Sequence, residues 1–134
     1  MSPVGRRTRV AVKRSERGAS AVEFALLAPI IVILLFGIIE CGRYFNATIT
    51  ITHAAREGVR DLALGKSATT AQATATAAAS DLSVLPPVVL QTCPANSVGT
   101  YAEIRVDYVF AFSVPLVKNG SPTISRTARM RCGG

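Results

Sequence analysis

A long apolar run between Ala19 and Ile39, interrupted near its start by a single acid, dominates the hydropathy pattern of the chain. A helix of this length rises about 1.5 Å per residue and spans about 31 Å, close to the hydrocarbon thickness of a bilayer. Glu23 is the only charged residue in the run, and Pro29 also lies within it. Membrane helices tolerate proline, so the pattern predicts a transmembrane helix over 19–39 that is either simply tilted or able to flex at Pro29.

The periodicity after the span predicts that the same helix continues outside the membrane, over 40–65. Polar residues recur on one side, at Asn46, Thr50, His53, Glu57 and Arg60. Apolar positions recur on the other side, at Phe45, Ile49, Thr52, Ala55, Val59 and Leu62, and are widened by Tyr44, Ala47, Ile51, Ala54 and Gly58. This spacing is typical of an amphipathic helix that packs on a sheet or on another helix. Gly65 followed by Lys66 is a typical helix end.

The segment 66–85 is rich in alanine and threonine and leaves two interpretations open. It is either a second helix that packs through its alanines or a low-complexity linker. Ser67 is a suitable N-cap, so we favour the helix. Asp81-Leu82 and then Pro86-Pro87 end the segment.

The pattern then changes to a period of two, which predicts three strands over 86–134. They are expected at Val88–Cys93, Tyr101–Phe112 and Thr123–Cys132, the last entered through the turn Asn119-Gly120-Ser121-Pro122. The middle strand alternates, with one apolar face made by Ala102, Ile104, Val106, Tyr108, Phe110 and Phe112. The predicted fold is therefore α+β, with a long N-terminal transmembrane-to-extracytoplasmic helix packed on a small antiparallel β-sheet.

Charge sets the expected orientation of the chain in the membrane. The 134 residues carry a formal net charge of +7, and residues 1–18 contribute six Lys or Arg against one acid. Basic residues beside a span stay in the cytoplasm, so residues after Ile39 are expected outside. A nucleic-acid arm is the weaker interpretation of this basic segment because of its position beside the span. A cleaved signal peptide or lipoprotein is disfavoured because no small-x-small site follows and Glu40 precedes Cys41.

Glu23 makes the span unusual. A carboxylate at the centre of a membrane helix costs about 2.5–3.5 kcal/mol on insertion scales, and less near an end. Cleavage after Gly18 would create an amine at Ala19, one helical turn from Glu23. A carboxylate facing an ammonium offsets part of the desolvation cost of both groups.

The three cysteines also bear on the topology. Outside the cytoplasm, Cys93 and Cys132 can oxidise and tie the first strand to the last, which the chain-entropy model values at about 4 kcal/mol. Cys41 lies at the membrane exit and is expected to be free or a packing residue. Other pairings remain open with three cysteines.

Three sequence blocks resemble TadE-like proteins, the minor pseudopilins of Tad/Flp (type IVc) pilus systems. The blocks are Arg17-Gly18-Ala19-Ser20-Ala21-Val22-Glu23-Phe24-Ala25-Leu26-Leu27-Ala28-Pro29, then Phe36-Gly37-Ile38-Ile39-Glu40-Cys41-Gly42-Arg43, and Ala54-Ala55-Arg56-Glu57-Gly58-Val59-Arg60. The resemblance implies a pilin-like fold in a bacterial inner membrane, with a single span and the N-terminus in the cytoplasm.

The resemblance also implies partners and site residues. A prepilin peptidase would cut between Gly18 and Ala19 and remove the leader 1–18. Glu23, next to Phe24, would then pair with an N-terminal amine in the assembly. Expected partners are the peptidase, other pilin or pseudopilin subunits, the Tad assembly platform and the lipid bilayer, with no nucleic acid and no small-molecule substrate. The expected roles are pilus assembly, adhesion or biofilm formation.

The Arg56-Glu57-Gly58-Val59-Arg60 block has two interpretations. It either contacts a partner subunit through Arg56, Glu57, Gly58 and Arg60, or it is a solvated helix face on which Glu57 and Arg60 pair.

Signs of catalysis are weak in this sequence. His53 is the only histidine and lies on the polar side of the helix, so a surface role is far more common than a catalytic one. The sequence carries no metal-ligand spacing, nucleophile elbow or glycine-rich phosphate loop. We therefore predict a protein that is not an enzyme and needs no cofactor or metal. The alternative function is an uncleaved, single-span, membrane-anchored extracytoplasmic binding domain outside any filament, and a periplasmic enzyme using His53 ranks far below both.

Overall fold

The fold is taken from a computed structural model that describes residues 15–94, 99–113 and 120–133. The predicted leader 1–18 falls mostly outside these residues, as does the start of the turn predicted at Asn119. The element order is α1 (Ser15–Ala63), α2 (Ala68–Ala78), β1 (Val88–Gln91), β2 (Tyr101–Val109) and β3 (Thr123–Arg131). A long N-terminal apolar helix and a small antiparallel sheet confirm the predicted α+β class.

The chain divides into two compact units, which meet in sequence between Leu35 and Phe36. The N-terminal unit contains the first part of α1, which stays helical through Pro29. Its large apolar side chains are exposed, with 68% exposure for Phe24 and for Leu26. By length and composition, α1 from Gly18 onward can cross a membrane. The described residues contain one helix of this kind.

The C-terminal unit begins with the rest of α1, which ends in a Schellman motif. Gly65 adopts φ 78°, a left-handed conformation that glycine enters without a Cβ clash. Its N–H donates to the carbonyl of Leu62, and the Lys66 N–H donates to the carbonyl of Asp61, both at 3.0 Å. These bonds satisfy carbonyls that the helix end would otherwise leave open.

The alanine-rich segment is a helix rather than a linker. The hydroxyl of Ser67 accepts a hydrogen bond from the Thr70 N–H at 3.2 Å and caps α2. Ala71 and Ala75 are fully buried on one side of it. Their small side chains allow α2 to approach Gly58 of α1, where an added Cβ would lie 3.0 Å from the Cβ of Ala75.

The sheet has the strand order β1-β2-β3 and is antiparallel throughout. Exposure alternates along β2 as predicted, and the buried face of β2 packs on the apolar side of α1. The core contains Ala47, Ile51, Ala55, Val59, Leu62, Ala71, Ala75, Ala102, Ile104, Val106, Phe110 and Ile124. Tyr108 and Phe112 are partly buried and pack against this core.

The predicted apolar side of α1 is wrong at its membrane-proximal end. Phe45 and Ile49 were expected to pack, but they are 64% and 68% exposed. The buried stripe passes through Ala47 and Ile51 instead. Tyr44 lies on the same side as this stripe, and its ring packs edge-on against Phe110 with centroids 5.5 Å apart. The sheet therefore selects one of two apolar stripes that the sequence offers.

Candidate functional site

The expected processing site lies near the start of α1. Gly18 and Ala19 are exposed and helical, since α1 begins at Ser15. A Cβ placed on Gly18 would meet no atom of the described residues within 4 Å, so none of them packs over this position. The backbone is therefore accessible, and glycine is the weakest non-proline helix former, which eases local opening of the helix.

Glu23 and Phe24 are exposed on the same stretch of helix. Glu23 follows Ala19 by four positions, which places both on one face of an α-helix. Among the described residues, no cation forms an ion pair with Glu23. The carboxylate of Glu23 is therefore accessible to a cationic group of another molecule.

The Arg56-to-Arg60 block does not act as one surface. Arg56 and Arg60 are exposed, whereas Gly58 is buried against Ala75 and Ile104. Gly58 is thus used inside the unit and does not reach a neighbouring subunit in this conformation. The Glu57 carboxylate faces His53 Nε2 at 3.8 Å, and the ion pair expected between Glu57 and Arg60 does not form.

The structure joins Cys93 and Cys132 in a disulfide with a Cα–Cα distance of 5.6 Å. Cys41 is exposed and free. Cys93 lies two positions after β1 and Cys132 one position after β3, so the bond joins the two edge strands at one end of the sheet.

Sequence reasoning missed an ion pair between a buried carboxylate and an exposed arginine where α1 enters the C-terminal unit. Glu40 is only 5% exposed, and its Oε1 accepts a hydrogen bond from Arg43 Nη1 at 2.6 Å. The Arg43 guanidinium also lies over the ring of Phe110, 5.6 Å from its centroid. The three-residue spacing of Glu40 and Arg43 is visible in the sequence, but the aromatic cover comes from the distant strand β2.

Asp61 links the end of α1 to α2 and was also missed. Its Oδ1 accepts from Lys66 Nζ at 2.8 Å, and its Oδ2 accepts from the Thr74 hydroxyl at 2.6 Å. The hydrogen bond from Lys66, then that from Thr74, lowers the pKa of Asp61 below its usual value of 3.8. The carboxylate is therefore charged at neutral pH and acts as a structural clamp between the helices.

The comparisons with known proteins bear on the helical segment. Residues 18–60 match the family model described as TadE-like protein. Neither the search of curated proteins nor the search of solved structures found a match. The matched segment begins at the glycine of the expected cut and ends at the last residue of the Arg56-to-Arg60 block. The resemblance predicted from the sequence is confirmed, and residues 18–60 of the chain are similar to TadE-like proteins.

Proposed function

We propose that this protein is a minor pseudopilin of a Tad/Flp pilus, cut by a prepilin peptidase after Gly18 and required for pilus assembly. The TadE-like match supports a Tad pilus-associated protein and is the observation that carries the proposal. The protein is a substrate of the peptidase and not an enzyme. Its span holds it in the bacterial inner membrane, with the C-terminal unit outside the cytoplasm.

Exposure in the N-terminal unit supports an assembly role. Phe24, Leu27 and Ile30 are each more than half exposed, as are most large apolar residues up to Leu35. Such a surface needs an apolar surrounding, which the bilayer supplies before assembly and the helices of neighbouring subunits supply afterwards. Side-by-side packing of these helices is the proposed mechanism of joining the filament.

Glu23 supplies the register in this mechanism. Apolar helices slide past one another at little cost because any apolar contact resembles the next. A single carboxylate removes this freedom, since leaving it unpaired in an apolar environment is expensive. The amine that cleavage exposes at Ala19 is the proposed partner, supplied within the assembly.

The proposal is tested by replacing Gly18→Leu in cells that carry the peptidase and the pilus genes. A bulky residue at the cut site blocks processing, so the variant retains residues 1–18 and the cells lose pili. Gly37→Leu is the matched control, because Gly37 also lies in α1 with nothing within 4 Å of a built Cβ. This control is expected to be processed normally.

An uncleaved membrane anchor behaves differently in the same experiment. Its mass and phenotype would be the same for wild type and for the Gly18→Leu variant. That outcome would replace the pseudopilin with an extracytoplasmic binding domain held by a simple span.

A further inference from the structure

An open groove lies between α1 and β3 in the C-terminal unit and shares Arg56 with the Arg56-to-Arg60 block. It encloses about 410 Å³, which is within the size range of ligand pockets in proteins. Its walls are formed by Thr52, Ala55, Arg56 and Val59 on the helix and by Arg126, Thr127, Ala128, Arg129 and Met130 on the strand. The floor is therefore apolar, and Arg56 and Arg126 provide charge.

One wall of the groove is an unpaired strand edge. β3 ends the sheet, and no described strand pairs with its outer side. The Cys132 N–H donates to the Thr100 carbonyl, and the Phe110 N–H donates to the Pro122 carbonyl, at the two ends of the β2–β3 ladder. Hydrogen-bonded pairs alternate in an antiparallel ladder, so even-numbered residues of β3 bond to β2. The N–H and C=O groups of Thr127 and Arg129 consequently point outward, into the groove.

The outward carbonyl of Ser125 shows how this edge is used at present. It accepts a hydrogen bond from Arg126 Nη1 at 2.8 Å, so the guanidinium lies at the sheet edge beside the groove. Because Arg126 occupies the Ser125 carbonyl, the outward backbone groups that remain available on β3 begin at Thr127. Charged side chains also protect strand edges from unwanted pairing, which is the alternative role of Arg126.

The groove carries positive charge that the unit itself does not neutralise. Arg129 pairs with Glu103 and Arg105 pairs with Asp107 on the opposite face of the sheet. Arg56 and Arg126 have no carboxylate partner among the described residues. Arg56 is exposed, and Arg126 is half-buried. A carboxylate between them would gain charge-assisted hydrogen bonds.

We infer that the groove binds an extended acidic segment of a partner protein, which pairs with β3 as a fourth strand. The backbone of the segment bonds to Thr127 and Arg129. Side chains opposite Ala128 lie on the helix side of the new strand, because opposing residues in a sheet share a face. A carboxylate at this position meets Arg56, with apolar neighbours over Ala55 and Met130. The inference concerns the C-terminal unit alone and does not depend on cleavage of the chain.

A short synthetic peptide tests this binding mode. The probe is a fluorescently labelled Thr-Val-Thr-Glu-Thr-Val-Thr peptide, titrated against the full-length protein in nanodiscs and followed by anisotropy. Alternation places the two valines and the glutamate on one face of the strand. A second peptide has lysine in place of the glutamate. A third keeps the glutamate but has the two adjacent threonine nitrogens methylated, which removes backbone donors.

The expected result is saturable binding of the acidic peptide, at least tenfold tighter than that of the lysine peptide and of the methylated peptide. Arg56→Glu is expected to weaken binding of the acidic peptide by tenfold or more and to strengthen binding of the lysine peptide. Arg60→Glu is the matched control, since Arg60 is exposed on α1 but does not line the groove. Its affinity for both peptides should change much less.

A backbone variant separates strand pairing from simple charge attraction. Thr127→Pro removes one outward N–H without removing a bond to β2, and proline is tolerated on edge strands. It should weaken the acidic peptide at least tenfold, whereas Thr127→Ala should not. An unchanged thermal unfolding midpoint establishes that each variant is folded.

Equal binding of the acidic and methylated peptides would overturn the inference, because the groove would then be only a basic surface. Absence of binding by the acidic peptide would also overturn it. The arginines would then only protect the strand edge from unwanted pairing. Tighter binding of a single-stranded oligonucleotide of equal charge would replace the peptide with a phosphate ligand.

Discussion

Both units of this chain contain part of α1, yet the exposure of their apolar side chains is opposite. In the N-terminal unit, Phe24 and Leu26 are 68% exposed, whereas Ile51 and Ile104 in the C-terminal unit are fully buried. The C-terminal unit contains its own sheet and so provides its own apolar interior. The N-terminal unit has no such interior among the described residues, and by length and composition its helix can cross a membrane. The difference indicates that stability resides in the second unit, and the proposed function assigns assembly to the first.

The largest effect is expected from Glu23→Gln, which should abolish filament formation without altering the stability of the C-terminal unit. The neutral amide leaves the ammonium of a processed chain unpaired in an apolar assembly, and breaking one partner of a buried pair costs about 3–5 kcal/mol. Pili are counted by electron microscopy. Asp81→Asn is the control, because Asp81 is an exposed acid in the other unit, and wild-type pilus numbers are expected for it. Normal pili in the Glu23→Gln variant would show that Glu23 does not set the register of the packed helices.

Loss of the disulfide should have the next largest effect, and only on the C-terminal unit. Cys93→Ser opens a loop between cysteines that are 39 positions apart, and the chain-entropy model assigns about 4 kcal/mol to a loop of this size. Denaturant unfolding of the full chain measures the loss. Cys41→Ser is the control and should leave the unfolding free energy unchanged, because Cys41 is exposed and unbonded. Similar values for the two variants would contradict a stabilising bond.

Close packing at Gly58 should come third. A methyl group there would lie 3.0 Å from the Cβ of Ala75 and from Cδ1 of Ile104. Gly58→Ala is therefore expected to lower the unfolding free energy by about 1–3 kcal/mol through overpacking. The same change at Gly42, where nothing lies within 4 Å of the added carbon, should be neutral or stabilising by up to about 1 kcal/mol. Stabilisation by both changes would show that α2 can move away from α1.

The smallest effect concerns Asp61 and depends on pH. Its folded-state pKa is lowered by the hydrogen bonds from Lys66 and Thr74, so it contributes stability above its unfolded pKa. This contribution is lost as the pH falls from 3.8 through the lowered folded value. Asp61→Asn should therefore lower the thermal unfolding midpoint at neutral pH, and the difference from wild type should shrink in acid. Asp81→Asn is the control, because Asp81 is exposed, and its unfolding midpoint at neutral pH should stay close to that of wild type.

Much of the fold could be predicted because period and composition report on local structure. The apolar run, the Gly65 stop and the alternation in β2 each depend on residues close in sequence. The buried side of α1 could not be predicted at its membrane-proximal end, since Phe45 and Ile49 are as apolar as Ile51. Packing on the sheet, which includes the contact of Tyr44 with Phe110, distinguishes the two stripes.

The candidate sites divide in the same way. Gly18 and Glu23 form a local pattern and were found in the sequence. The packing of Arg43 over Phe110 and the groove beside β3 require distant segments to meet, and their residues have ordinary spacings. Asp61 is intermediate, because Lys66 is near in sequence but Thr74 comes from the next helix.

The central claim is that the mature protein begins at Ala19 and presents a new amine to Glu23. The most direct measurement is the intact mass of the protein purified from membranes of cells with and without the cognate peptidase. The account predicts a mass lacking residues 1–18 only when the peptidase is present. A chain that still begins at Met1 in both cells would contradict it.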